Sequence, residues 1–324
     1  MVRIFVTQPV PDTPLAPLRA LANVSVYPDS SRILPYDDLL REIPQYDILY
    51  CLLHDRVDSK VIEAGRRLKL IATSAITPSN IDVASATSRM IPVTAIPNIV
   101  AEDTADLEWG LLLAVARRIP QAEQSLRGGI FPGAQSMHFA GGRVHGQTLG
   151  TIGLGAIGRG IARRAQGFGM RVLYTKRTRL SPEQERQWGV EYRSLHDLLR
   201  ESDFVVLNAT LHAGTQRLIG SSELRLMKPS AYLINTARGP IVDEGALVEA
   251  LKTGAIAGAG LDVYEREPHV HPELPSLGNV VLTPHIGTAT REMRAEIASI
   301  VVHNIEAFLR GDRPPNVCNP EIYG

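Results

Sequence analysis

Thr151-Ile152-Gly153-Leu154-Gly155-Ala156-Ile157-Gly158 ends a short apolar run with three glycines at dinucleotide-loop spacing. Such glycines let the backbone turn tightly, approach a pyrophosphate and pack the following helix on its strand. The phosphates then meet a helix N-terminus, where free N–H groups and the dipole favour negative charge. The flanks fit this reading. Residues 147–152 read as a strand, 157–168 carry apolar residues at helical spacing, and 171–175 read as the second strand of a βαβ unit. At the end of that strand, where an NAD site has an acid for the ribose 2′-hydroxyl, the chain has Thr175-Lys176-Arg177. Two cations there favour a 2′-phosphate, so the expected cofactor is NADP (as NADPH), with NAD the second candidate. Gly153, Gly155, Ala156, Ile157, Gly158, Thr175, Lys176 and Arg177 are the expected cofactor contacts.

A chain of 324 residues is long enough for two α/β domains with full cores. Its 34 Lys and Arg balance 34 Asp and Glu, which points to no nucleic-acid or membrane partner. Met1-Val-Arg-Ile-Phe-Val-Thr7 reads as a first strand rather than a signal peptide, and no apolar run approaches membrane-spanning length, so a cytoplasmic protein is expected. Cys51 and Cys318 form no motif, and Cys51 reads as a buried thiol in an apolar strand. His269-Val-His271 has no third ligand nearby, so no metal is expected.

Strand-like runs at 3–7, 46–53, 68–73 and 91–96 alternate with helical stretches and argue for a parallel sheet that ends before the glycine loop. A helical pattern follows at 102–118, with Trp109, Leu111, Leu112, Leu113 and Val115 apolar, then a glycine-rich passage at 128–146. The alternation resumes with strands at 204–208, 231–235, 258–263 and 280–282. A last helix, at about 291–310, has no partner in that second sheet and is expected to pack back on the first domain. Asp55 and Asp58 read as caps of the helix that follows them.

Three polar residues stand where strands of the second sheet end, and ligands of such sheets bind outside the carboxyl ends of the strands. Arg238 follows Tyr232-Leu-Ile-Asn-Thr-Ala237, Glu267 follows Leu261-Asp262-Val263, and His285 follows Val281-Leu-Thr-Pro284. Together they offer a carboxylate anchor, a tuning acid and a proton donor at one sheet edge.

Four ordered motifs make the chain resemble the D-isomer-specific 2-hydroxyacid dehydrogenases, and within them the glyoxylate/hydroxypyruvate reductases. They are Gly153-Leu-Gly-Ala-Ile-Gly158, Asn235-Thr-Ala-Arg-Gly239 with Val242-Asp243, Gly260-Leu-Asp-Val263 with Glu267-Pro268, and Thr283-Pro-His-Ile-Gly287. The resemblance implies two doubly wound parallel-sheet α/β domains with a cleft between them. One is a Rossmann nucleotide domain at 99–288, including a helical dimerisation segment. The other is a flavodoxin-like substrate domain built from 1–98 and 289–324. It further implies a homodimer and NADPH-dependent reduction of a small 2-oxo acid to the D-2-hydroxy acid. His285 matches the family's acid/base, Glu267 its charge partner, and Arg238 the residue that binds the substrate's carboxylate and carbonyl oxygen. Asp262 matches the residue that orients the nicotinamide amide, and Thr104 a hydroxyl near the cofactor phosphates. Thr210, Thr236, Ala237 and Gly287 complete the implied cofactor set, and Leu53, Ile76 and Thr77 the substrate set.

One stretch departs from the family. Ser74-Ala-Ile-Thr-Pro-Ser-Asn80 stands where a glycine-rich turn is usual, with Ala75 and Thr77 in place of glycines. The N–H groups of Ile76 and Thr77 are still expected to face a carboxylate, in a pocket reshaped by their side chains. Two other functions share these features: reduction of a bulkier 2-oxo acid or 2-ketogluconate, and NAD(P) sensing by a non-enzymatic corepressor. Formate dehydrogenases share the cofactor half but pair the histidine with an amide, where this chain has Glu267.

Overall fold

Ile48-Leu-Tyr-Cys51, Leu70-Ile-Ala-Thr73 and Phe204-Val-Val-Leu207 bury every residue, as parallel strands covered on both faces do. The computed structural model describes residues 1–134 and 137–324, so Gln135 and Ser136 of the glycine-rich passage lie outside the described residues. The chain divides into two units, Met1–Ile99 with Ala289–Gly324, and Val100–Thr288.

In the first unit β1 (Arg3–Val6), α1 (Asp12–Leu21), β2 (Asn23–Val26), α2 (Tyr36–Glu42), β3 (Ile48–Cys51), α3 (Ser59–Ala64), β4 (Leu70–Thr73), α4 (Val83–Ser88) and β5 (Val93–Thr94) succeed one another. Every strand pairing is parallel, in the order β2-β1-β3-β4-β5. This is the flavodoxin-like order, whose switch point lies between β1 and β3. Pro92 and Pro97 remove donors, and the strand expected over 91–96 shortens to two residues. β2, whose residues are half-exposed or exposed, has too little apolar signal to stand out in the sequence.

The second unit runs α5 (Ala101–Ala116), α6 (Ile119–Arg127), β6 (Thr148–Ile152), α7 (Ala156–Gly167), β7 (Arg171–Thr175), α8 (Pro182–Trp188), β8 (Val190–Tyr192), α9 (Leu195–Glu201), β9 (Phe204–Leu207), α10 (Ser221–Leu224), β10 (Tyr232–Asn235), α11 (Glu244–Lys252), β11 (Gly258–Leu261) and β12 (Val280–Leu282). Its parallel sheet has the order β12-β11-β10-β9-β6-β7-β8. The direction of winding reverses between β6 and β9, which puts the switch point beside the glycine loop. Two apolar layers cover the sheet, one led by Leu111, Leu112, Ile161 and Ala165, the other by Leu198, Leu224, Leu247 and Leu251.

The last helix, α12 (Arg291–Leu309), packs on α1 and β4 of the first unit. Its buried residues Met293, Ile297, Val301 and Ile305 recur every four positions, giving one apolar stripe. Past it, Asn319 is 1 % exposed and stitches the chain's end to the β5 region. Its Oδ1 accepts from Val93 N–H at 2.8 Å, and its Nδ2 donates to Ile91 C=O at 2.9 Å. Asn319→Ala leaves that buried N–H and C=O unpaired and is expected to destabilise the first unit by about 2–4 kcal/mol. Thermal melts of the variant and parent check this.

Candidate active site

The glycine loop is folded onto the end of β9. Gly153 has φ +98°, and a Cβ there would stand 2.4 Å from Asn208 C=O. Gly153 N–H donates to Thr175 C=O at 2.9 Å, and the Thr151 hydroxyl donates to Gly153 C=O at 2.7 Å. Around Gly155, by contrast, a Cβ would meet nothing within 4 Å. Gly155 and Ala156 are exposed, Ile157 is half-exposed and Gly158 is buried. The first turn of α7 carries no acidic side chain, so its amides face open space without a competing anion. The loop thus has the form of an anion cradle.

At the end of β7, Arg171 is paired with Glu191 and Glu201, and Arg179 with Glu185. Lys176 and Arg177, half-exposed and exposed, enter no ion pair among the described residues. These two cations are therefore free for a ligand. Thr175 is half-exposed beside them. Thr210, exposed past β9, accepts a hydrogen bond from the Thr215 hydroxyl at 2.7 Å through its carbonyl.

His285, Glu267 and Asp262 come together at the ends of β11 and β12. His285 Nδ1 lies 2.8 Å from Glu267 Oε2, and Glu267 Oε1 accepts from Tyr264 N–H at 2.9 Å. His285 has φ +54°, a left-handed conformation uncommon for a side-chain-bearing residue. Asp262, 1 % exposed, holds that turn. Its Oδ1 accepts from the Thr283 hydroxyl at 2.6 Å and Ile286 N–H at 2.8 Å, and its Oδ2 from Gly287 N–H at 2.9 Å. Burial pushes its carboxyl above the ordinary range, against the pull of those donors. A Cβ on Gly287 would lie 3.5 Å from Thr104, which is buried on α5.

Arg238 follows β10 and is half-buried. Its Nη1 donates to Ala237 C=O at 2.7 Å, and it enters no ion pair among the described residues. Asn235 braces this turn, accepting from Ala237 N–H at 3.1 Å and donating to Arg238 C=O at 3.1 Å. The next residue must be glycine, because a Cβ at Gly239 would overlap the Tyr264 carbonyl at 1.9 Å. That close approach sets the Arg238 turn against the Tyr264–Glu267 loop. Thr236 Oγ1 is buried there with no partner among the described residues.

In the first unit Leu53 and Ile76 are half-buried and Thr77 is exposed, on the loops after β3 and β4. Asp58 caps α3 as expected, accepting from Val61 N–H, but Asp55 does not. It is 3 % exposed and takes the Thr7 hydroxyl and Leu52 N–H, so it fixes the loop at the β1–β3 switch point. Asn80 Nδ2 ties the two loops by donating to Leu52 C=O at 2.9 Å and Asp55 C=O at 2.7 Å. In the departing turn Ala75 N–H is taken by Thr73 Oγ1, while no acceptor among the described residues takes the N–H of Ile76 or Thr77.

Glu108, which the sequence marks only by its place three and four residues before Leu111 and Leu112 on one helix face, is fully buried on α5 against Asn208. No helix among the described residues is long and apolar enough to cross a membrane.

The family model for the D-isomer specific 2-hydroxyacid dehydrogenase NAD binding domain matches residues 109–287. The chain is 46 % identical over 324 residues to a glyoxylate reductase of Thermococcus kodakarensis, covering 99 % of this chain and 97 % of that one. A crystal structure of a Thermus thermophilus protein superposes with a TM-score of 0.90 at 39 % identity, covering 98 % and 100 % of the two chains. The NADPH-dependent glyoxylate/hydroxypyruvate reductase of Sinorhizobium meliloti, solved with NADP and malonate, gives 0.78 at 31 % identity, covering 98 % and 96 %.

Two glycines of the loop separate folding from binding. Gly153→Ala forces a side chain into the Asn208 backbone and is expected to cost about 1–3 kcal/mol of stability. Gly155→Ala should melt like the parent but lose dinucleotide binding, read by quenching or transfer of protein fluorescence.

Proposed function

The chain belongs to the D-isomer-specific 2-hydroxyacid dehydrogenases, and on that premise we propose that it reduces a small 2-oxo acid to the D-2-hydroxy acid with NADPH. The observation that carries the reading is the His285–Glu267 pair at 2.8 Å, set at the ends of the same parallel sheet as the unpaired Arg238. The cradle open at Gly155 and the unpaired Lys176 and Arg177 fit a dinucleotide with a 2′-phosphate.

When bound, NADPH supplies the hydride for the carbonyl carbon of the oxo acid. His285 then donates a proton from Nε2 to the carbonyl oxygen, while Nδ1 keeps its bond to Glu267. Glu267 stabilises the imidazolium and fixes the ring, so the proton is aimed before the charge develops. Arg238 binds the substrate carboxylate and the carbonyl oxygen through its forked donors. In the first unit, the N–H groups of Ile76 and Thr77, which no acceptor takes among the described residues, and Leu53 are proposed as further substrate contacts. Asp262 holds the His285 turn and retains a lone-pair site for a nicotinamide amide. Thr104, Thr210, Thr236, Ala237 and Gly287 are assigned to the cofactor, Thr236 because its buried hydroxyl lacks a partner.

Exposed Ile119, Leu126, Ile130, Phe131 and Met137, on and after α6, favour burial of this segment in a homodimer. The Ala75-to-Ser79 departure and the half-buried Ile76 favour a narrow pocket, hence glyoxylate or hydroxypyruvate over aromatic oxo acids.

The test follows NADPH absorbance with glyoxylate, hydroxypyruvate, phenylpyruvate and 2-ketogluconate. The first two are expected to give the highest kcat/KM. A higher value for phenylpyruvate contradicts the pocket assignment, and NADPH binding without turnover of any oxo acid favours the sensing role. Replacing Lys176 and Arg177 together by alanine removes two charge-assisted contacts of about 1.5–3 kcal/mol each. It should lower kcat/KM for NADPH by roughly a hundredfold or more and leave NADH nearly unchanged.

A further inference from the structure

Glu108 has no exposed surface and enters no ion pair among the described residues. A carboxylate so placed is costly to bury. Its Oε1 and Oε2 lie 3.2 and 3.3 Å from Asn208 Nδ2, which also reaches Thr151 Oγ1 at 3.4 Å. Thr151 in turn donates to Gly153 C=O, and Asn208 N–H donates to Ile152 C=O at 2.8 Å. The chain of contacts thus runs from Glu108 to the first glycine of the nucleotide loop. One atom in it is unsatisfied among the described residues: Asn208 Oδ1 is buried without a donor. A carboxylic acid pairs with a primary amide through two bonds, acid O–H to Oδ1 and amide N–H to the carbonyl oxygen. A carboxylate has no O–H to give.

We infer that Glu108 is a positioning residue, a neutral carboxylic acid that fixes Asn208 and through it the turn at Gly153, and whose ionisation loosens the loop's hold on the cofactor phosphates. The inference rests on the loop being the nucleotide site.

The surroundings agree. Of the elements packed on α5, β11 and β12 bring no ionisable group and β10 brings only Tyr232. α6 brings Glu123 and Arg127, paired with each other. α7 brings Arg159, Arg163 and Arg164, of which Arg163 is held by Glu102, and Arg164 by Glu102 and Asp106. α5 itself adds Glu102, Asp103 and Asp106. Burial raises the Glu108 carboxyl to about 8, against weaker pulls from Asn208 and Arg164. Neutral Glu108 therefore holds near pH 7 and is lost on mild alkalinisation. The sign for stability follows: the folded chain binds this proton more tightly than the unfolded chain, so stability falls as pH rises from the ordinary carboxylate range through about 8.

The experiment measures NADPH affinity from pH 7 to 9.5 in the parent and in Glu108→Gln, which keeps the shape and a donor but cannot ionise. The parent is expected to weaken by roughly 5-fold or more across the range, the low end for coupling between sites. The Gln variant should match the parent at pH 7 and stay flat. Melting temperatures taken alongside should fall with pH in the parent and less so in the variant. A parent whose affinity does not change, or a Gln variant that weakens as the parent does, overturns the inference. A Gln variant that fails to fold leaves the parent to decide it, through a protonated-carboxyl infrared band at pH 7 that must vanish on alkalinisation in step with the affinity. A parent that binds no NADPH at any pH overturns the nucleotide reading, and the positioning role with it.

Discussion

Asp262 is the constraint on which the candidate site depends. A histidine at φ +54° is strained, by roughly 1–3 kcal/mol for such conformations. It persists because one buried carboxylate takes the N–H groups of Ile286 and Gly287 and the Thr283 hydroxyl, and the Asp262 carbonyl takes His285 N–H. The clamp turns the imidazole so that Nδ1 meets Glu267. Glu267 is itself anchored to Tyr264 N–H, and the Tyr264 backbone abuts Gly239, so the Arg238 turn is referenced to the same frame. An imidazole, its carboxylate partner and a guanidinium are placed by backbone contacts rather than by flexible side chains.

Charge is distributed to match. Most arginines near the outer strands are tied up in ion pairs, as Arg171, Arg179 and Arg193 are. Arg238, Lys176 and Arg177 stand outside such pairs. Surface pairs contribute little to stability. Other cations also stand outside ion pairs among the described residues, Arg159 and Arg186 on helices among them, but Arg238, Lys176 and Arg177 lie at strand ends, where an open parallel sheet binds its ligands.

Much of this was legible in the sequence, for reasons particular residues make plain. Fully buried parallel strands such as Phe204–Leu207 are continuous apolar runs, and the glycine spacing reports a backbone that Gly153 bears out with its positive φ and its contact with Asn208. The edge strands β2 and β8 escaped because Asn23-Val-Ser-Val26, half-exposed to exposed, and the three-residue Val190-Glu-Tyr192, with an exposed Glu191 at its centre, have no such run. Asp55 was read as a cap because local spacing cannot show that a loop carboxylate turns inward to Thr7, 48 positions away. Glu108 was missed for a related reason. A charged residue on a helix defaults to solvent, and its partner Asn208 is 100 positions distant.

The central claim is that His285 protonates the carbonyl oxygen while taking no part in holding the cofactor. Asparagine tolerates the left-handed backbone, so His285→Asn removes the acid and spares the turn. Single-turnover mixing of the NADPH complex of this variant with glyoxylate tests the claim most directly. The account predicts NADPH affinity within about threefold of the parent and hydride transfer slowed by roughly 10²–10⁴. Hydride transfer at the parent's rate would contradict it.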